Sequence, residues 1–155
     1  MKLFLKIVVI LLFMVSTISY AEEIAIIANK AYPANHISLT TLKDIYLGEK
    51  TTEGGIRIKP YDQKSSMIRK KFLIKVIDTG EDGYNAYWIK KVFQEGGVPP
   101  IKKSSPDEVI RAIREEAGGI GYVWRNEGDV LGIKVLLTID VGDIGINESG
   151  NPYRK

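Results

Sequence analysis

The sequence predicts an α/β fold, a mixed or mostly parallel sheet flanked by helices, on three observations. Short apolar runs of strand length alternate along the chain with segments whose apolar residues recur at helical spacing. The run "IAIIA" at residues 24–28 is apolar at every position, which suits a strand covered on both faces, as in a parallel sheet, rather than one half exposed. Glycine pairs at Gly54 and Gly55, Gly96 and Gly97, and Gly118 and Gly119 punctuate the boundaries between these segments.

Ahead of the first strand, "MKLFLKIVVILLFMVSTISYAEE" places Lys2 and Lys6 before an apolar run over 7–15 and a small-x-small site at Ser19 and Ala21. A secretory signal peptide over residues 1–21 is expected, cleaved after Ala21, with a single domain over 22–155. The apolar run is far short of the roughly 20 residues that span a bilayer, so no stable membrane insertion is expected after cleavage. The expected location is periplasmic or secreted. The chain has no cysteine, which excludes a lipoprotein anchor and leaves the core to hold the fold without disulfides. Of the formal net charge of +3 over 155 residues, two positive charges belong to Lys2 and Lys6. The remaining balance is near neutral and gives no reason to expect nucleic acid or membrane as a partner. Basic residues are instead local, over 64–75, at Lys90 and Lys91, and at Lys102 and Lys103.

The elements follow in order. After the strand at 24–28, a polar loop carries Tyr32, Pro33 and the single histidine, His36. "SLTTLKDIYLGE" reads as a helix with Ser38 as N-cap, Leu39, Leu42, Ile45 and Tyr46 at helical spacing, and Gly48 as its stop. "IRIKP" alternates at Ile56 and Ile58 and ends at Pro60, a short strand after the glycine turn. From Ser66, the spacing of Ile68, Phe72 and Val76 predicts a helix ending near Gly80, and "EDGYNAYWIKKVFQEGG" predicts another with Tyr84, Trp88 and Val92 on its apolar side. Ser105, Pro106 and Glu108 combine an N-cap, a first-turn proline and a glutamate three residues on, the strongest helix start in the chain. "IGYVW" and "IKVLLTI" read as strands, Gly119 and Gly121 as a tight turn into a buried strand, and the tail from Asp140 as Gly- and Asn-rich coil.

Catalytic patterns are scarce, and no enzyme is expected. One histidine and no cysteine exclude a His/Cys metal cluster, no GxSxG elbow, P-loop or GxGxxG is present, and the adjacent Glu115 and Glu116 point different ways on a helix. No cofactor is indicated. Trp88 and Trp124 read as packing residues. What stands out is "YDQKSSMIRKKF" at residues 61–72, with Ser65 and Ser66 at a strand-to-helix junction beside a basic cluster. A helix start presents unsatisfied N–H groups and the positive end of the macrodipole, so an oxyanion can sit there with serine hydroxyls as further donors. Lys64 and Arg69 would supply charge, Arg69 by a bidentate fork. The plainer reading makes Ser65 or Ser66 a helix cap and Lys64, Arg69, Lys70 and Lys71 a solvated face.

In order along the chain, "LTTLKDIYLGEK", "GGIRIKPYD", "SSMIRKKFLIKV" and "AGGIGYVW" resemble the phosphate-binding-protein-like domain of solute receptors for ABC transporters, over nearly all of residues 24–139. The resemblance implies a type II periplasmic-binding-protein fold, here in reduced form of about one lobe, since such receptors are about twice as long. It implies an oxyanion, phosphate or a similar one, as ligand, with Ser66 at the anion-binding serine and Ser38 near the cleft as a possible second donor. Asp62, Met67 and Ile68 stand where the family carries arginine, glycine and threonine, and an aspartate facing an anion repels it unless paired with Lys64 or Arg69. The expected site is therefore Ser65, Ser66, Arg69, Lys64 and Ser38. The rival expectation is a module of the same fold that has exchanged its ligand for protein contact with an envelope transporter or sensor.

Overall fold

The apolar run at 24–28 lies at the centre of the molecule because every side chain in it requires cover. In chain order the elements are β1 (Glu23–Asn29), α1 (Leu39–Tyr46), β2 (Thr52–Glu53), β3 (Ile56–Arg57), β4 (Lys59–Gln63), α2 (Met67–Phe72) and the wider π turn that continues it (Leu73–Ile77). There follow α3 (Glu81–Glu95), β5 (Ile101–Lys103), α4 (Pro106–Glu115), β6 (Gly119–Trp124), β7 (Ile133–Asp140), β8 (Ile144–Ile146) and β9 (Pro152–Arg154). This computed structural model describes residues 21–129, 132–147 and 152–154, so the expected signal peptide lies outside the described residues except for Ala21.

The main sheet runs β5-β4-β6-β1-β7 and is mixed. β4 is parallel to β5 and β6, whereas β1 is antiparallel to both β6 and β7. The expected cover of residues 24–28 on both faces is present, each of them 0% exposed; the parallel pairing inferred from it is not. Continuous apolarity reports burial of two faces, and burial is indifferent to strand direction. The alternation along β1 divides the core in two. Ile24, Ile26 and Ala28 pack with Leu42, Ile45, Phe72, Tyr84 and Trp88 from α1, α2 and α3, while Ala25 and Ile27 pack with Val109, Ile110 and Ile113 of α4.

Two helix starts are as expected. The Ser38 hydroxyl accepts from Thr41 N–H at 3.1 Å, and Ser105 accepts from Glu108 N–H at 3.3 Å while the Glu108 carboxylate takes the N–H of Ser104 at 2.8 Å. Three expectations are corrected. Pro60 does not end a strand: β2 and β3 form a small hairpin across Gly54 and Gly55, and β4 runs on through Pro60 to Gln63. Pro60 is tolerated because Lys59 N–H bonds toward β6 (to Gly118 O) and Lys64 N–H toward β5 (to Lys103 O). By alternation the missing donor of Pro60 then faces the β5 side, where pairing starts only at Tyr61. On α3 the buried stripe is Tyr84, Trp88 and Lys91, not Val92, which is 39% exposed. Lys91 lays its stem on the core and carries its ammonium to Glu49, 2.6 Å away, and Glu95. The tail read as coil forms the antiparallel β8–β9 hairpin.

Gly121 serves close packing rather than a turn. A Cβ there would stand 2.8 Å from Val109 Cγ1 and 3.0 Å from Ile113 Cδ1, so its absence lets α4 settle onto β6.

Candidate functional site

β4 delivers Asp62 to the helix-facing side of the sheet one residue before its end, and the chain then turns through Lys64 and Ser65 into α2, which returns Arg69 over the same point. The junction is fixed from below by aromatic rings. Phe72 stacks on Tyr122 at a centroid distance of 3.9 Å, and Tyr46 meets Phe72 edge-on at 4.8 Å. Tyr46 donates its hydroxyl to Tyr61 O and Tyr84 donates to Tyr46 O, each at 2.7 Å, so strand, α1 and α3 are tied together where the site forms.

Asp62 is 1% exposed and wholly engaged. Its Oδ1 accepts from the Tyr122 hydroxyl at 2.5 Å, from Gln63 N–H at 2.8 Å and from Arg69 Nε at 3.1 Å, and Oδ2 accepts from Arg69 Nε at 3.0 Å. Arg69 Nη2 also lies 3.0 Å from Oδ2, out of line for a hydrogen bond. Burial, then the neighbouring Asp62 charge, push the Tyr122 hydroxyl well above its ordinary pKa, so it stays a proton donor to that carboxylate. Asp62 thus does not face an external anion as a free charge; it is paired with Arg69.

Ser65, Ser66, Lys64 and Arg69 come together as one junction, with differing roles. Ser66 is the cap of α2, its hydroxyl accepting from Arg69 N–H at 3.4 Å. The Ser65 hydroxyl donates to Glu81 Oε2 at 2.8 Å, and Arg69 Nη1 donates to Glu81 Oε1 at 2.7 Å. Lys64 is exposed at the head of the turn. The side chain of Arg69 is 2% exposed, so it does not belong to a solvated basic face. Ser38 stands apart at the start of α1, where its hydroxyl bonds Thr41 through both backbone and side chain.

Glu81, the first residue of α3, is what the sequence reading missed. Its side chain is 20% exposed, against 2% for Asp62. Partial burial pushes its carboxyl pKa up, but the hydrogen bonds from Arg69 and Ser65 and the charges of Arg69 and Lys70 outweigh this and hold it below the usual glutamate range. The only signal in the sequence was an acidic first turn, Glu81 and Asp82, which helix polarity alone explains.

Beside the ion pairs lies a groove of about 460 Å³ with Asp62 and Arg69 among its lining, walled by Trp88, Ile89, Phe93 and Pro100, with Lys102 also lining it. Its outer surface is unusually apolar for a solvent face: Phe93 is 85% exposed and Ile89 60%. The groups that meet at the junction are carboxylates, a guanidinium, serine hydroxyls and phenols. Such a set holds an oxygen-bearing group through directed donors.

No family model matches the chain, and neither does any curated protein. Solved structures do. An ABC-type phosphate transport receptor from Vibrio cholerae superposes with a TM-score of 0.58 at 18% identity, covering 74% of this chain and 45% of the receptor. A phosphate ABC transporter substrate-binding protein from Clostridium perfringens, solved with bound phosphate and described as putative in that role, gives 0.59 at 17% identity, covering 74% and 44%. A possible phosphate binding protein from Planctomyces limnophilus gives 0.53 at 13% identity, covering 81% and 45%. At these identities the likeness establishes a shared fold: an α/β architecture of the kind found in phosphate receptors, spanning less than half the length of the proteins it matches. Among the described residues no helix is long and apolar enough to cross a membrane.

Proposed function

We propose that the protein is an exported, non-catalytic binding module that takes phosphate or a similar oxyanion at the start of α2. In this reading Ser65 and Ser66 supply hydroxyls, Arg69 supplies a guanidinium N–H and Lys64 adds positive charge from the rim. One observation carries it: Ser65 and Arg69, expected from the sequence to hold an oxyanion, converge within 2.8 Å on the two oxygens of a single carboxylate. Hydroxyl and guanidinium donors directed at adjacent oxygens suit a tetrahedral oxyanion equally well. The shared fold with phosphate receptors supports the same choice of ligand class. Ser38 has no part in it, its hydroxyl being committed to Thr41. Calorimetric titration of the folded protein with phosphate at low salt, with sulfate for comparison, is expected to give saturable binding that Ser65→Ala weakens. Heat absent with both anions would end the reading. Export is tested separately by recovering the protein from the envelope of a bacterial host and weighing it, where a mass beginning at Glu22 is expected.

The exposed surface of α3 favours a second reading on the same fold. Ile89, Val92 and Phe93 turn outward, and Val98 and Ile101 extend the apolar area toward the sheet edge, which the fold itself does not require. Docking of an envelope transporter or sensor on this face would account for it. A photo-crosslinking side chain at position 93 should then capture one defined membrane partner in the native host, with no adduct from a control position at exposed Glu49.

A further inference from the structure

The oxyanion reading leaves an asymmetry around Arg69 that needs its own account. Two carboxylates surround one guanidinium, so the cluster is negative overall, the wrong sign for capturing an anion. The two acids are not equivalent. Asp62 is locked from three directions, by Tyr122, Gln63 and Arg69. Glu81 is held only by Ser65 and Arg69, the two donors assigned to the ligand, and both of its oxygens are used: Oε2 by the hydroxyl and Oε1 by Nη1. It is also the more solvent-accessible of the two.

We infer that the Glu81 carboxylate is a built-in stand-in for the ligand: it occupies the oxyanion position on Ser65 and Arg69, and an incoming phosphate binds by displacing it. This rests on the oxyanion reading and adds its regulation. Displacement is physically cheap at this place. Glu81 opens α3, whose preceding residue Gly80 provides no side-chain cap. A carboxylate swung off Arg69 therefore remains beside the positive end of a 15-residue helix, where negative charge is favoured. Departure of Glu81 leaves Arg69 balanced by Asp62 alone, with Lys70 close enough to act on the Glu81 position and Lys64 at the rim. The sign at the site then suits an anion. The incoming oxyanion must outcompete a tethered carboxylate, so phosphate is favoured over singly charged carboxylates such as acetate, whose chemistry Glu81 already supplies at high effective concentration.

The test is calorimetry with inorganic phosphate on the wild-type protein, Glu81→Gln and Glu81→Asp. Glutamine keeps the shape and removes the charge; aspartate keeps the charge but is one methylene too short to reach Ser65 and Arg69 together. Both variants are expected to bind phosphate at least about ten-fold more tightly than wild type, since a unit charge within about 4 Å of the ligand is removed or withdrawn. In the Glu81→Gln background, Ser65→Ala should cancel most of the gain. Equal, measurable phosphate affinity in wild type and both variants would overturn the displacement idea and leave the oxyanion reading standing. No binding by any of the three, with thermal melts showing all of them folded, would overturn both.

Discussion

Asp62 and Glu81 present the same functional group to the same arginine, yet their surroundings make them different instruments. Asp62 is 1% exposed and receives a phenol, a backbone amide and the guanidinium. Glu81 meets solvent and receives only a serine hydroxyl and one guanidinium nitrogen. The difference teaches that one ion pair can be structural on one side and exchangeable on the other. What separates the two is the number of further donors and the access of water, not the Coulomb attraction itself.

The sharpest way to break this comparison is to remove each acid in turn. Asp62→Ala leaves a buried guanidinium with one partially exposed partner and takes away the acceptor of the Tyr122 hydroxyl proton, so a loss of about 3–5 kcal/mol is expected from chemical denaturation. A loss no larger than that of Glu81→Gln would show the two acids to be equivalent. Glu81→Gln itself should cost about 1 kcal/mol, because the amide still accepts from one donor and water replaces the rest. Acid sharpens the contrast further. The Glu81 carboxyl is held below its ordinary value of 4.5 in the folded protein, so its stabilisation is present above about that pH and is lost as pH falls through the lowered value. The stability gap between wild type and Glu81→Gln should therefore be full near neutral pH and shrink as the pH falls below 4.5; a gap independent of pH would contradict the ionised clamp. The smallest effect is expected outside the pair. Phe93→Ser, on the exposed side of α3, should change stability by less than about 0.5 kcal/mol, and a larger loss in the isolated protein would mean that Phe93 packs within the fold.

Much of the architecture was legible because it follows from local rules. Ser38 and Ser105 cap helices where the capping pattern placed them, and the apolar run at 24–28 is buried on both faces. What escaped has non-local causes. The direction of β1 is set by strands that arrive about 100 residues later, β5 is three residues of "IKK" with no alternation to betray it, and Pro60 is harmless only because of where its neighbour begins. At the β4–α2 junction, the grouping of Ser65, Ser66 and Arg69 was legible because strand-to-helix turns have recognisable chemistry. The pairing of Arg69 with Asp62 was foreseeable from their separation across that turn. Its pairing with Glu81 was not, since α3 reaches back only after the π turn and the left-handed residue Asp78 redirect the chain.

The register of β1 has a consequence for how the molecule comes into being. Ile24 pairs with Trp124 on one side and Ile139 on the other, and Ala28 with Ile120 and Lys134, so the central strand finds both its neighbours only about 100 residues later in the chain. β1 has no edge to join until β6, ending at Trp124, has been made, and its second edge stays open until β7, ending at Asp140, follows. Closure of the core therefore depends on pairings far apart along the chain rather than on local contacts, an arrangement that slows folding.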